Sequence, residues 1–103
     1  MLKLPKEKTR SVGVSNFTVE HLEAIIKATG EVPVTNQVER HPLLQQQELV
    51  RYCKEKNIHL TAYSAFGNNG FNIPLLVMRD EVKEVAKKAG ERLGKTVTPA
   101  QVM

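Results

Sequence analysis

The chain has 103 residues, a net charge of +4, and 41% hydrophobic and 25% charged residues, a balance that fits one globular domain and argues against disorder. No stretch approaches the roughly 20 consecutive apolar residues of a transmembrane helix, and the basic start MLKLPKEKTR lacks the apolar core of a signal peptide, so a cytoplasmic protein is expected. The positive charge does not mark a nucleic-acid binder, because Lys and Arg are spread over residues 1–10 and 83–95 without interleaved aromatics, and several are spaced to pair with acids, Glu84 with Lys88 and Glu91 with Lys95.

The first element is the run SVGV at 11–14, β-branched and apolar like a strand buried on both faces, which stops at Ser15-Asn16. Thr18 is placed to cap a helix whose Val19, Leu22, Ile25 and Ile26 recur at helical spacing until Gly30 closes it. A second strand is expected in VPVTNQV at 32–38, with Pro33 restricted to its start, followed by a loop around His41-Pro42. From about Leu44 a second helix carries Leu49, Val50 and Cys53 on one side and ends near Asn57. Cys53 is the single cysteine, which excludes an internal disulfide and any multi-cysteine metal motif, and its helical setting reads as a small buried residue. IHLTAY at 58–63 is the third strand. The loop after it, SAFGNNGFNIPLLVMR, is long enough to suggest a function.

Asp80 is then placed to cap a third helix with an apolar stripe of Val82, Val85, Ala86, Ala89 and Leu93, ended by Gly94. In TPAQVM, Thr98 and Pro99 announce a further helix of about four residues, too short to sustain itself. The chain is therefore expected to be truncated at both ends.

Successive strand-helix units imply parallel strands joined by crossovers. A doubly wound sheet would be expected to show a Gly-rich phosphate turn, and GVSNFT is not one. A β/α barrel uses short strands and gathers its functional groups at their C-terminal ends. Each strand here ends in polar or aromatic residues: Ser15-Asn16, then Asn36-Gln37 with Glu39 and His41, then Tyr63-Ser64. In a barrel these would line one pocket. The expected fold class is α/β, a partial (β/α)8 TIM barrel of about three consecutive βα units spanning residues 1–103.

At these strand ends SVGVSNF, NQVERHPLLQQQEL, YCKEKNIHLTAYSAFG and GKTVTPAQV, in that order, resemble the second half of the aldo-keto reductase barrel, nearest to the fungal type that reduces aldehydes or oxidises glycerol. The resemblance implies NADPH as cofactor and a small carbonyl or alcohol substrate, while charge distribution and hydropathy leave no nucleic-acid or membrane partner expected. It implies that Ser15, Asn16 and Gln37 hold the nicotinamide carboxamide, for which uncharged donors and acceptors are suited. Tyr63 matches the aromatic that stacks on the nicotinamide ring. Ser64, Phe66 and Asn68 match the start of the loop over the pyrophosphate. His41 matches a structural position, and His21 and His59 read as helix-surface and strand residues.

Two departures accompany the likeness. The family's YSPLG stands here as YSAFG, with Ala65 and Phe66 in place of proline and leucine, which implies a more flexible loop. The family's tyrosine acid, with its lysine, aspartate and histidine, belongs to the first half of the barrel, so no catalytic residue and no metal ligand is expected here. Two rival readings follow: a non-catalytic fragment that associates through open strand edges, and, more remotely, a small basic nucleic-acid-binding domain.

Overall fold

The computed structural model describes residues 1–67, 70 and 74–103. The chain divides into two compact units, one of residues 1–40 and 44–63, the other of residues 41–43 and 64–103.

In the first unit three parallel strands alternate with two helices, as the sequence predicts: β1 (Val14–Ser15), α1 (Val19–Thr29), β2 (Thr35–Glu39), α2 (Gln47–Glu55) and β3 (His59–Tyr63). The sheet order is β1-β2-β3. Val14 and Ser15 stand in register with Asn36 and Gln37, and Thr35 through Glu39 with His59 through Tyr63. Parallel neighbours joined by a helical crossover are what the repeated strand-helix pattern demands.

Both of the first two strands are displaced from expectation, and Gly13 and Pro33 give the reason. Pro33 has no N–H to donate, so regular pairing begins at Thr35, two residues later. Ahead of it the Val34 N–H donates to the Val12 carbonyl at 3.0 Å. Gly13 passes so close to β2 that a Cβ there would lie 2.5 Å from Thr35 Cγ2. Any side chain at position 13 would have to push Thr35 aside, which favours glycine there.

The expectation that SVGV is buried on both faces is not met, since Ser11 and Gly13 are exposed and Val12 and Val14 only half-buried. Side chains alternate along a strand, and in β2 Asn36 and Val38 are buried while Gln37 between them is exposed. The buried face meets Leu22 of α1, Leu49 and Cys53 of α2, and Ile58, with Val14, Phe17 and Leu60 packed at the margin. Fully burying an aliphatic side chain of this kind is worth about 1.5–3 kcal/mol. Cys53 sits in this core at 1% exposure, as its helical setting suggested, and burial pushes its thiol pKa upward. The opposite face carries Ser15, Thr35, Gln37, Glu39, His59, Thr61 and Tyr63, and each of them is polar or amphipathic.

Local capping follows the sequence closely in α1. The Thr18 hydroxyl accepts from the His21 N–H, and His21 Nδ1 accepts from the Thr18 N–H, both at 3.4 Å. Gly30 ends the helix at φ 71°, a left-handed conformation that suits glycine. In α2 the helix stops at Glu55 and Asn57 adopts φ 59°, a role asparagine tolerates well.

The second unit holds a 3₁₀ turn (Leu76–Met78), α3 (Asp80–Leu93) and α4 (Pro99–Val102). Asp80 does not cap α3. Arg79 occupies that position, and Asp80, the first helical residue, bonds Lys83 Nζ at 2.8 Å. The acid still serves the helix, since a carboxylate in the first turn opposes the dipole's positive end. The expected α3 stripe is only partly covered: Ala86 is buried, but Val85 and Leu93 are about half exposed, at 54% and 53%. Glu84 and Lys88 pair as spaced, at 2.7 Å. Lys95 lies beyond Gly94, which is left-handed at φ 62°, so the Glu91–Lys95 spacing crosses the helix end. Thr98 and Pro99 open α4 with a capping box to Gln101, as their order predicts.

Candidate functional site

Because β1, β2 and β3 run parallel, their C-terminal ends emerge on one side of the sheet, and the first unit gathers Ser15, Asn16, Gln37 and Tyr63 there. These four are among the strand-end residues that the sequence marks, and the family resemblance implies that they hold the cofactor. Ser15 stands beside Gln37 in the ladder, and its hydroxyl donates to the Gln37 carbonyl at 2.8 Å. The same carbonyl accepts the Asn16 N–H at 2.9 Å. Asn16 adopts φ 57°, which ends the strand and turns the chain toward α1.

Tyr63 comes from β3, two strands away, and its hydroxyl donates to Asn16 Oδ1 at 2.9 Å. Tyr63 as a whole remains 36% exposed. Gln37 lies between β1 and β3 with its side chain on the exposed face, beside Thr61 in register. Thr61 and Thr35 bring their hydroxyls to 3.3 Å below it. Beyond the strand, Gln46 Nε2 donates to the Glu39 carbonyl at 2.6 Å and so ties the entry of α2 to the end of β2.

Asn36 corrects the expectation that it lines the pocket with Gln37. Its side chain is fully buried, on the helix-facing side of the sheet. Asn36 Nδ2 donates to the Phe17 carbonyl at 2.8 Å, and Asn36 Oδ1 accepts the Phe17 N–H at 3.3 Å. Strand alternation would have revealed this, since placing Gln37 at the mouth puts Asn36 on the other face.

Ser64 and Phe66 belong to the second unit. There Ser64, at φ 50°, opens a tight turn in which the Gly67 N–H donates to its carbonyl at 2.8 Å. The Phe66 carbonyl accepts from the Val77 N–H at 3.2 Å, and the Phe66 side chain is 45% exposed. Gly67, at φ 91°, is pressed against Leu76, whose backbone nitrogen would be 2.7 Å from an added Cβ. Asn68 lies outside the described residues.

A nicotinamide carboxamide offers one acceptor oxygen and two donor hydrogens, and the donor set at the strand ends fits it. Asn16 Oδ1 receives the tyrosine hydroxyl, so Asn16 Nδ2 is the atom that can donate outward. Ser15 Oγ, already donating to Gln37, retains lone pairs to accept. Gln37 supplies a further amide on the exposed face. Among the described residues no cluster of His, Cys, Asp or Glu could hold a metal ion, and no helix is long and apolar enough to cross a membrane.

The sequence profile described as the aldo/keto reductase family matches residues 5–94. A D/L-glyceraldehyde reductase from Hypocrea jecorina is 63% identical over the whole chain, which covers 31% of that relative. A glycerol 2-dehydrogenase (NADP(+)) from Saccharomyces cerevisiae is 43% identical over 94% of this chain and 31% of its own length. Among solved structures, Gox0644 in complex with NADPH superposes with a TM-score of 0.72 at 36% identity, over 94% of this chain and 32% of that one. The chain thus spans about a third of the length of the relatives it matches.

Proposed function

The chain belongs to the aldo/keto reductase family, and from this premise we propose that it supplies the nicotinamide-binding part of a barrel that reduces aldehydes and ketones to alcohols with NADPH. The observation that carries the reading is the convergence of Ser15, Asn16, Gln37 and Tyr63 at the ends of three neighbouring parallel strands, joined by the Tyr63–Asn16 hydrogen bond. A TIM barrel places its chemistry at that end of its strands. The NADPH complex of a structural relative supports the cofactor, and the reductase and dehydrogenase relatives support a small carbonyl or alcohol as substrate.

When bound, NADPH supplies a hydride to the carbonyl carbon. The residues of this chain hold and orient. Ser15, Asn16 and Gln37 secure the carboxamide, and the Tyr63 ring offers an aromatic face for stacking. Ser64, Phe66 and Asn68 are assigned to the pyrophosphate loop from the family resemblance. No proton donor is assigned here, because the family resemblance gives that role to the first half of the barrel, while the Tyr63 hydroxyl is engaged by Asn16 and Tyr52 lies on α2. Residues 1–103 are accordingly one part of a larger cytoplasmic reductase domain, whose proton donor lies in the remaining barrel.

The test is a complete barrel in which this chain replaces the matching segment of the 63% identical Hypocrea jecorina reductase. NADPH binding measured by fluorescence, together with NADPH-dependent glyceraldehyde reduction, is expected. A folded barrel that fails to bind NADPH would refute the site.

A further inference from the structure

We propose that Asn36 is a positioning residue that sets the Ser15-Asn16-Phe17 turn for cofactor binding, without itself reaching the cofactor; the inference rests on the nicotinamide reading above. Asn36 and Gln37 are adjacent on β2, and both act on the same turn, Gln37 through its backbone carbonyl in the strand ladder and Asn36 through its buried side chain. Along the ladder, the Gln37 backbone carbonyl accepts both the Ser15 hydroxyl and the Asn16 N–H. From the helix side, the Asn36 carboxamide takes both backbone groups of Phe17, the N–H at 3.3 Å and the carbonyl at 2.8 Å.

The turn needs such fixing. Asn16 holds a left-handed φ of 57°, and a residue in that region keeps it when its neighbours determine the backbone on both sides. Phe17 follows immediately and begins no regular element, since α1 starts at Val19. Its N–H and carbonyl are therefore served by a side chain. A buried amide pairing reciprocally with a backbone amide also specifies its partner, because every other apposition leaves polar atoms unsatisfied in a core of Leu22, Leu49 and Ile58. Hydrophobic burial alone would favour an apolar residue at 36, as at Val38.

In the complete barrel, Asn36→Ala is compared with Val38→Ala, which removes a buried side chain from the same face of β2. Amide exchange without cofactor reads the clamp. Exchange at Asn16 and Phe17 is expected to rise about tenfold more in Asn36→Ala than in Val38→Ala, the order of one lost buried hydrogen bond. The NADPH Kd is expected to rise about tenfold in Asn36→Ala, with kcat at saturating NADPH and the carbonyl KM within threefold, as befits lost preorganisation.

Asn36→Asp adds a chemical rescue. A protonated carboxyl has the same donor and acceptor as the amide, whereas a carboxylate faces the Phe17 carbonyl with no proton to give. Burial raises the pKa of such a carboxyl, so NADPH affinity in Asn36→Asp should recover as pH falls. The unsubstituted barrel over the same pH range is the reference, because the ionisable side chains Glu20, His21 next to Phe17, and Cys53 lie on α1 and α2. Equal exchange in the two alanine variants, or raised exchange with an unchanged Kd, overturns the positioning role. So does an Asn36→Asp Kd with the pH profile of the unsubstituted barrel. Failure of the unsubstituted barrel to bind NADPH strikes the underlying site reading, and is seen before any variant is made.

Discussion

The Tyr63 hydroxyl reaches across the whole of β2 to donate to Asn16 Oδ1 at 2.9 Å, so the first and third strands of the sheet are latched at the mouth by one side-chain hydrogen bond. The bond orients the Asn16 amide with its nitrogen outward. Tyr63→Phe keeps the ring and removes the latch, and is expected to weaken NADPH binding by about 1 kcal/mol or less. Tyr63→Ala removes the ring as well and should cost roughly 1 kcal/mol more, the order of an aromatic contact. Fluorescence titration of the complete barrel measures both, and an unchanged Kd in Tyr63→Ala would exclude the ring from the site.

Asn16 combines a backbone role with a side-chain role, and two substitutions separate them. Glycine accepts φ 57° freely, so Asn16→Gly should leave the thermal midpoint nearly unchanged while reducing NADPH affinity. Alanine is strained there, and Asn16→Ala should lose about 1 kcal/mol of stability in addition. Equal melting temperatures for the two variants would show that the turn relaxes when the side chain is lost.

The start of α1 should respond to acid. The Thr18 hydroxyl donates to Glu20 at 2.6 Å and holds that carboxyl below the usual carboxylate range. A depressed folded pKa contributes stability that is complete above the ordinary glutamate value, about 4.3, and is lost as pH falls through the depressed value. Thr18→Ala should destabilise by about 1 kcal/mol near neutrality through loss of the cap, and its stability should fall less steeply below pH 4 than that of the parent. Urea unfolding across the acid range provides the comparison.

Cys53 should resist alkylation. It is 1% exposed, and burial pushes its thiol pKa up, so both access and thiolate fraction are low. Iodoacetamide at pH 7.5 is expected to label it only as the protein unfolds, with a labelling rate that rises with urea. Rapid labelling in native buffer would show that the core around Leu22 and Leu49 opens locally.

Much of this arrangement could be read from residue order, and the failures share a cause. Helix α1 was marked at both ends by residues with local reasons to be there, Thr18 with a side-chain cap and Gly30 with a left-handed φ. The strand ends were legible because polar residues interrupt apolar runs at three places. What resisted was the orientation of individual side chains. Asn36 and Gln37 are chemically alike, and a polar cluster at a strand end does not say which member faces the mouth. Asp80 reads as a cap in the sequence, but Arg79 has the capping backbone without a capping side chain. The shortened β1 depends on the approach of Gly13 to Thr35, a contact between residues far apart in the chain.

The alternation along β2 also bears on how the gene can change. Asn36 and Gln37 differ by one methylene, yet one is sealed in the core and the other faces outward. Gain or loss of one codon just ahead of this pair, within the strand, would exchange the two surfaces, burying the longer amide where the shorter fits and turning a core position to water. Substitutions can accumulate around this strand one at a time, but length changes within it have no gradual route. Changes of length are expected instead in the connections on either side, where they leave unaltered which amide faces out.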